Sequence, residues 1–151
     1  MVKRLTVSLF AALLLIAGGG VSAQTITSNG TGGGSWTATT TWQGGVVPTS
    51  ANDVIIAGGD SVFTITGVAD SCNSITIQSN AKFKNGDSTG FKVMSAFTIQ
   101  AGGYYFNGNN TTSWPSTGSY TIDPASNYIQ LANASSSIGA SGNSTFGNLT
   151  I

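Results

Sequence analysis

A short apolar–polar–apolar phrase returns at regular intervals along this chain. Its last apolar residue falls at positions 56, 77, 99, 122 and 151, so the steps are 21, 22, 23 and 29 residues. Alternation with a period of two is typical of a β-strand. A repeat of this length is typical of a solenoid, in which each coil buries its core only against its neighbours. The copies are Val54-Ile55-Ile56, Ile75-Thr76-Ile77, Phe97-Thr98-Ile99, Tyr120-Thr121-Ile122 and Leu149-Thr150-Ile151.

The strands that these phrases predict are short and are separated by turn signals rich in Gly, Asn and Asp. This pattern predicts an all-β protein, a right-handed parallel β-helix, with an antiparallel β-sandwich as the alternative. In a β-helix, equivalent positions of successive coils stack directly. The last residues of the phrases should then form one internal ladder, made of Ile56, Ile77, Ile99, Ile122 and Ile151. The middle threonines should point outward in a row, made of Thr76, Thr98, Thr121 and Thr150.

The first residues predict an export signal. Lys3 and Arg4 precede an apolar run over 5–16, and small residues follow up to Ala23. We expect cleavage after Ala23, which makes Gln24 the new N-terminus of a secreted or cell-surface protein. The apolar run is shorter than the roughly 20 residues that span a bilayer, which makes an uncleaved anchor the lesser alternative, and no membrane span is expected after the signal is removed.

The rest of the chain predicts an N-terminal cap segment over 24–52 and β-helix coils over 53–151. Solenoids need a polar cap at each open end, and the chain stops within a repeat phrase, so further coils of a longer parent chain are expected as its partners. Beyond residue 23 there are three Lys and five Asp, a net charge of −2. The absence of a basic patch argues against nucleic acid as a partner. The single cysteine, Cys72, is expected to be buried and cannot form an internal disulfide.

Three stretches between residues 36 and 80 carry a resemblance to a known group of proteins. After Trp36 they read TWQGGVVPT over 41–49, NDVII over 52–56 and CNSITI over 72–77. They resemble the start of large exported bacterial parallel β-helix surface proteins, many of which are cargo of the type IX secretion system. The opening is also distantly similar to the G8 domain of larger surface proteins and polysaccharide-related enzymes. The resemblance covers about a third of the chain and implies architecture and export rather than a reaction.

The same residues have a structural interpretation. Trp36 and Trp42 are six positions apart, so they fall on one face of an extended strand and could cover the open end of the first coil, with a platform for a sugar ring as the alternative. Pro48 cannot donate to a continuing ladder. Asp53 is expected to accept turn amides just before the first strand of the coils.

The composition makes an active site improbable in this segment. There is no His, the usual general base, and no Glu. A glycosidase needs two carboxylates about 5 to 10 Å apart, and only Asp60 and Asp87 could approach each other on neighbouring coils. The same two aspartates are the only weak candidates for a calcium site. No cofactor and no catalytic residue are predicted.

Aromatic residues and asparagines make residues 104–114 the best candidate for a carbohydrate surface. The alternation of the strand places Tyr104 and Phe106 on one face and Tyr105 on the other. The predicted platform is Tyr105 and Trp114, with hydrogen bonds from Asn109 and Asn110. The alternative is an aromatic stack inside the coil.

Three functions remain open at this point. The leading hypothesis is a secreted or cell-surface β-helix module with a structural or adhesive role, which is non-catalytic in this segment. The second is the N-terminal scaffold of a polysaccharide-degrading β-helix enzyme, a lyase or a hydrolase. The third is a carbohydrate-binding module. In each case the expected partner is a cell-surface or extracellular polysaccharide.

Overall fold

The computed structural model describes residues 22–86, 90–108, 115, 117–131 and 148–150, so most of the predicted signal segment lies outside it. The described part of the chain is all-β, apart from two short 3-10 turns at Thr39–Thr41 and Gln43–Gly45. None of its helical segments is long and apolar enough to cross a membrane. The strands in chain order are β1 (Gln24–Thr27), β2 (Gly33–Ser35), β3 (Asn52–Ile56), β4 (Ser61–Phe63), β5 (Ser71–Ile77), β6 (Lys82–Asn85), β7 (Lys92–Ile99), β8 (Tyr104–Asn107), β9 (Ser119–Ile122), β10 (Asn127–Gln130) and β11 (Asn148–Thr150).

The strands form two parallel sheets. The first sheet has the order β1-β3-β5-β7-β9, and the second has the order β2-β4-β6-β8-β10-β11. Up to β10 the chain alternates between the sheets, and each strand pairs in parallel with the equivalent strand of the next coil. This arrangement is a parallel β-helix, as the sequence predicts, and it excludes the antiparallel sandwich.

The repeat phrases of the first sheet stack in register. Ile56 pairs with Ile77, Ile77 with Ile99, and Ile99 with Ile122. The first three are buried and Ile122 is partly buried against the same core. β-Branched side chains suit such positions because they pack well on a pleated surface. The predicted internal ladder is therefore confirmed for these four residues, with the threonines of the same phrases pointing outward.

The last repeat phrase does not join this ladder. β11 pairs with β10 of the second sheet, so that Leu149 lies opposite Tyr128 rather than beside β9. The prediction that the fifth copy stacks on the first sheet was therefore wrong for the strand Asn148–Thr150. Ile151 itself lies outside the described residues. The step of 29 residues, against 21 to 23 for the others, already departs from the regular period.

The first coil passes from the first sheet to the second through five residues, 28–32, and each of the next four coils through a four-residue turn. Its third residue has a positive φ in three coils, at Gly59 (91°), Asn80 (60°) and Gly102 (72°), which explains why Gly and Asn occupy the position. The turns also stack, because the Asn80 N–H donates to Gly102 O at 3.0 Å and the Gly102 N–H donates to Ala125 O at 2.9 Å. Hydrogen bonding between coils thus continues through the corner.

The second sheet contributes the aromatic part of the core. Val62, Phe83, Tyr105 and Tyr128 follow one another on adjacent strands and are buried. Across the core, the rings of Phe97 and Tyr105 meet edge to face with centroids 5.2 Å apart, an arrangement that aromatic pairs prefer. The first sheet contributes mainly aliphatic residues together with Phe97, the second contributes these aromatic residues together with Val62, and all of them belong to a single core.

The ladder predicts unequal costs for two adjacent substitutions. Ile99→Ala should lower the free energy of unfolding by about 2–5 kcal/mol, because it leaves a cavity in a packed core. Thr98→Ala, on the outer face of the same strand, should change it by less than about 0.5 kcal/mol. Urea denaturation of both variants measures the difference. Equal effects at the two positions would contradict the inward and outward assignment.

Candidate functional site

The residue that the sequence singled out as a sugar platform is inside the protein. Tyr105 is fully buried, with 0% of its surface exposed, so its ring cannot stack on a ligand and that prediction was wrong. Burial raises the pKa of its phenol, an effect that the hydrogen bond from Asn85 partly offsets. The aromatic stack inside the coil, the alternative interpretation, is what the structure has. Trp114, Asn109 and Asn110 lie outside the described residues.

The neighbours of Tyr105 point the other way and form a surface. Tyr104 and Phe106 are on the outer side of β8, partly exposed, with ring centroids 6.2 Å apart and planes at 16° to each other. In the parallel register, Lys82 lies beside Tyr104 and Lys84 lies beside Phe106. Phe63, 39% exposed, is the neighbour of Lys84 on the other side. We call this surface, made of Phe63, Lys82, Lys84, Tyr104 and Phe106, the lysine–aromatic face.

Two asparagines at the ends of β6 and β8 point into the core. Asn85 and Asn107 are both 0% exposed and are paired in the sheet register. Asn85 Nδ2 donates to the Tyr105 hydroxyl at 3.3 Å, and Asn107 Nδ2 donates to the Tyr128 hydroxyl at 3.4 Å. Each asparagine thus supplies a partner for the tyrosine of the next coil, as a buried hydroxyl requires.

In the sequence, Asn85 and Asn107 each precede a glycine, which is the signature of a surface turn. The signal for burial was present, since each follows an apolar residue by two positions and precedes a Gly, and the two are 22 residues apart, one coil. An asparagine that recurs at the coil length two positions after an inward-facing residue falls on the inward face of its strand.

Asp60, a weak calcium candidate, is a buried structural group at the corner before β4. Its Oδ2 accepts the Gly30 N–H at 2.9 Å and its Oδ1 accepts the Gly32 N–H at 2.8 Å. Burial raises the pKa of this carboxyl, but hydrogen bonds from the Ser28 side chain and from the Gly30 and Gly32 amides together hold it below its usual value. Both oxygens of the carboxylate are therefore already engaged within the fold. Asp87, the other candidate, lies outside the described residues.

Asp53 connects two coils instead of holding a turn. Its Oδ1 accepts hydrogen bonds from Asn73 Nδ2 at 2.7 Å and from Ser74 Oγ at 2.6 Å, both in the next strand of the sheet. The predicted role as acceptor of turn amides belongs instead to Asn52, whose Oδ1 accepts the Thr49 N–H at 2.9 Å. The sequence identified the correct turn but the wrong one of two adjacent side chains.

The tryptophans of the first coil pack together without sharing a strand. The segment 36–45 leaves β2 in a turn and forms the two 3-10 turns, so the extended strand expected there was wrong. Trp36 and Trp42 are 1% and 2% exposed and meet edge to face at 5.0 Å. The Trp42 Nε1–H donates to Trp36 O at 2.8 Å. Their burial excludes the alternative of a sugar platform at these rings.

The remaining predicted structural residues are accounted for by packing. Pro48 is buried in the irregular segment before β3. Cys72 is buried in β5, as expected, and burial, with a further contribution from the charge of Asp53, raises the pKa of its thiol. A buried thiol of this kind is unreactive because the thiolate is the nucleophile.

The described residues present no cluster of metal ligands. They contain no group of three or more His, Cys, Asp or Glu side chains that could hold a metal ion. Comparisons with protein families, with curated proteins and with solved structures find no significant match to this chain. The lysine–aromatic face is therefore the candidate functional site of the described part.

The inner asparagines predict a stability effect that a surface residue would not give. Asn85→Ala should lower the free energy of unfolding by about 1–3 kcal/mol, because it leaves the buried Tyr105 and Thr64 hydroxyls without the partner that Asn85 provides. Gln100→Ala, at an exposed turn position, is the control and should change it by less than about 0.5 kcal/mol. Urea titrations compare the two, and a loss no larger at Asn85 than at Gln100 would contradict the buried role.

The Asp60 carboxylate predicts a pH-dependent contribution to stability. Its folded pKa lies below the unfolded value of about 3.9, so the contribution is fully present above that pH and is lost as the pH falls through the folded pKa. Asp60→Asn should therefore be less stable than the wild type at neutral pH, and the difference should shrink below about pH 4. Thermal melts across this range measure it. A difference that does not change with pH, or a wild-type Tm that rises with calcium and does not rise in Asp60→Asn, would contradict the assignment.

Proposed function

We propose that this chain is a secreted or cell-surface β-helix module with a structural or adhesive role and that this segment is not itself an enzyme. One observation carries the proposal: the stacking of coils is continuous through the first sheet, the corner turn and the second sheet. Such a framework holds its outer side chains at fixed spacings over several coils, which suits a rod that displays a surface. It does not by itself gather groups for catalysis.

The use of the polar side chains supports the same proposal. The buried Asn85, Asn107 and Asp60 hydrogen-bond to neighbouring coils and have a structural part in the rod. The first sheet has an outer row of threonine hydroxyls that can hydrogen-bond to water, from Thr76, Thr98 and Thr121. Export is proposed from the leader pattern before Gln24 and from the resemblance of residues 36 to 80 to exported surface proteins.

The test measures both the export of the protein and the attachment of the cells that make it. In the organism that makes it, the protein should reach the surface with Gln24 as its first residue, as measured by protease shaving and N-terminal mass spectrometry. Deleting the gene should reduce attachment of the cells to polysaccharide-coated surfaces. The purified protein should release no reducing ends or unsaturated products from the same polysaccharides.

The matched control is a variant that keeps the folded module but blocks cleavage of its leader. Ala23→Phe places a bulky residue where signal peptidase needs a small one and leaves β1 to β11 unchanged, so it should retain the leader and fail to restore attachment. Full attachment with the retained protein, or release of cleavage products by the purified chain, would overturn the proposal.

A further inference from the structure

We propose that the lysine–aromatic face binds a carboxylated polysaccharide, a polymer of uronic acids. This inference rests on the proposed adhesive role and names the surface and the ligand class through which it would act. Five side chains carry it, two cations and three aromatic rings, all on the outer side of the second sheet.

The register arranges these side chains as repeated pairs. Lys82 lies opposite Tyr104 and Lys84 lies opposite Phe106, on adjacent strands about 4.8 Å apart. Within each strand the two residues are separated by one inward-facing position, which places them about 6.6 Å apart along the strand. The four residues therefore form two side-by-side cation–ring pairs, and Phe63 extends the row of Lys84 by one more ring.

Each pair matches the two chemical features of a uronic acid unit. The apolar C–H face of a pyranose ring packs against an aromatic ring, while its carboxylate takes a charge-assisted hydrogen bond from an ammonium group. Each uronic acid unit has one sugar ring and one carboxylate. Each pair on the face correspondingly has one aromatic ring and one lysine.

The charge distribution favours an anionic ligand on this face in spite of an excess of acidic residues beyond the leader. Lys82 and Lys84 are two of the three lysines that follow residue 23. No aspartate belongs to β4, β6, β8 or β10, the strands that form the face and its continuation. Asp53 is on the first sheet, while Asp60 and Asp70 are buried. The strands of the face therefore carry two cations and no carboxylate, which favours an anionic ligand.

The first sheet provides an internal comparison. Its outer row of Thr76, Thr98 and Thr121 has the same strand spacing but neither rings nor cations. Lys92 and Met94, at the start of β7 in that sheet, are exposed. They serve as controls of the same chemical type, in the same fold, away from the proposed site.

The experiment measures binding of the purified chain to polygalacturonate, with its fully methyl-esterified form as the uncharged counterpart. The wild type should bind the acid polymer, should bind the ester with an affinity lower by about tenfold or more, and should lose affinity as salt rises.

Lys82→Gln with Lys84→Gln should weaken binding to polygalacturonate about tenfold or more. Tyr104→Thr with Phe106→Thr should do the same at high salt, where stacking dominates. Phe63→Thr, at the most exposed ring, should give a smaller loss and is the alternative if the double aromatic variant unfolds.

The controls are Lys92→Gln and Met94→Thr, which should bind as the wild type does. Equal losses for Lys92→Gln and the double lysine variant would show charge-driven association without a site and overturn the inference. So would equal binding of the acid polymer and its ester, or preferential binding of dextran sulfate or DNA.

If polygalacturonate does not bind but attachment of cells persists with the double lysine variant, the adhesive role stands and this site falls. If the site binds in solution while deletion of the gene leaves attachment unchanged, the proposed function falls and the site stands.

Discussion

The fold depends on the in-register pairing of each coil with the next. The strands within one coil do not pair with each other. The backbone hydrogen bonds of each strand are therefore made with the equivalent strand of a neighbouring coil, about one repeat away in sequence. Once the register is fixed for one pair, the side-chain period of two determines which residue of every following coil enters the core. The isoleucine ladder, the aromatic stack and the inner asparagines are consequences of this single constraint.

The same constraint explains how much of the molecule the sequence could predict. The repeat of Ile56, Ile77, Ile99 and Ile122 was sufficient for the fold, since periodic apolar residues report directly on a stacked core. The pattern could not assign Asn85 and Asn107, because asparagine before glycine has the same local signature in a surface turn as at an inward strand end. The two cases are distinguished by the apolar residue two positions before each asparagine, together with the recurrence of the pair at the coil length.

The candidate site shows a related limit. Alternation correctly separated Tyr104 and Phe106 from Tyr105, but it could not say which side faced the core. That choice depends on contacts with Phe83 and Phe97, which lie on other strands. For Trp36 and Trp42 the expected strand was wrong, because a turn after β2 and the 3-10 turn Thr39–Thr41 lie between them and bring the two rings into edge-to-face contact.

The stacked corner turns have a mechanical consequence. The hydrogen bonds from Asn80 to Gly102 and from Gly102 to Ala125 connect the ladders of the two sheets across the bend. A force applied along the axis of the coils is therefore shared between both sheets and the corner, and a coil separates only when all three give way together. A force applied across the axis, along the strands, loads the same hydrogen bonds in shear. A rod of this kind resists tension through the cooperation of its coils, with no covalent cross-link between them in the described part of the chain.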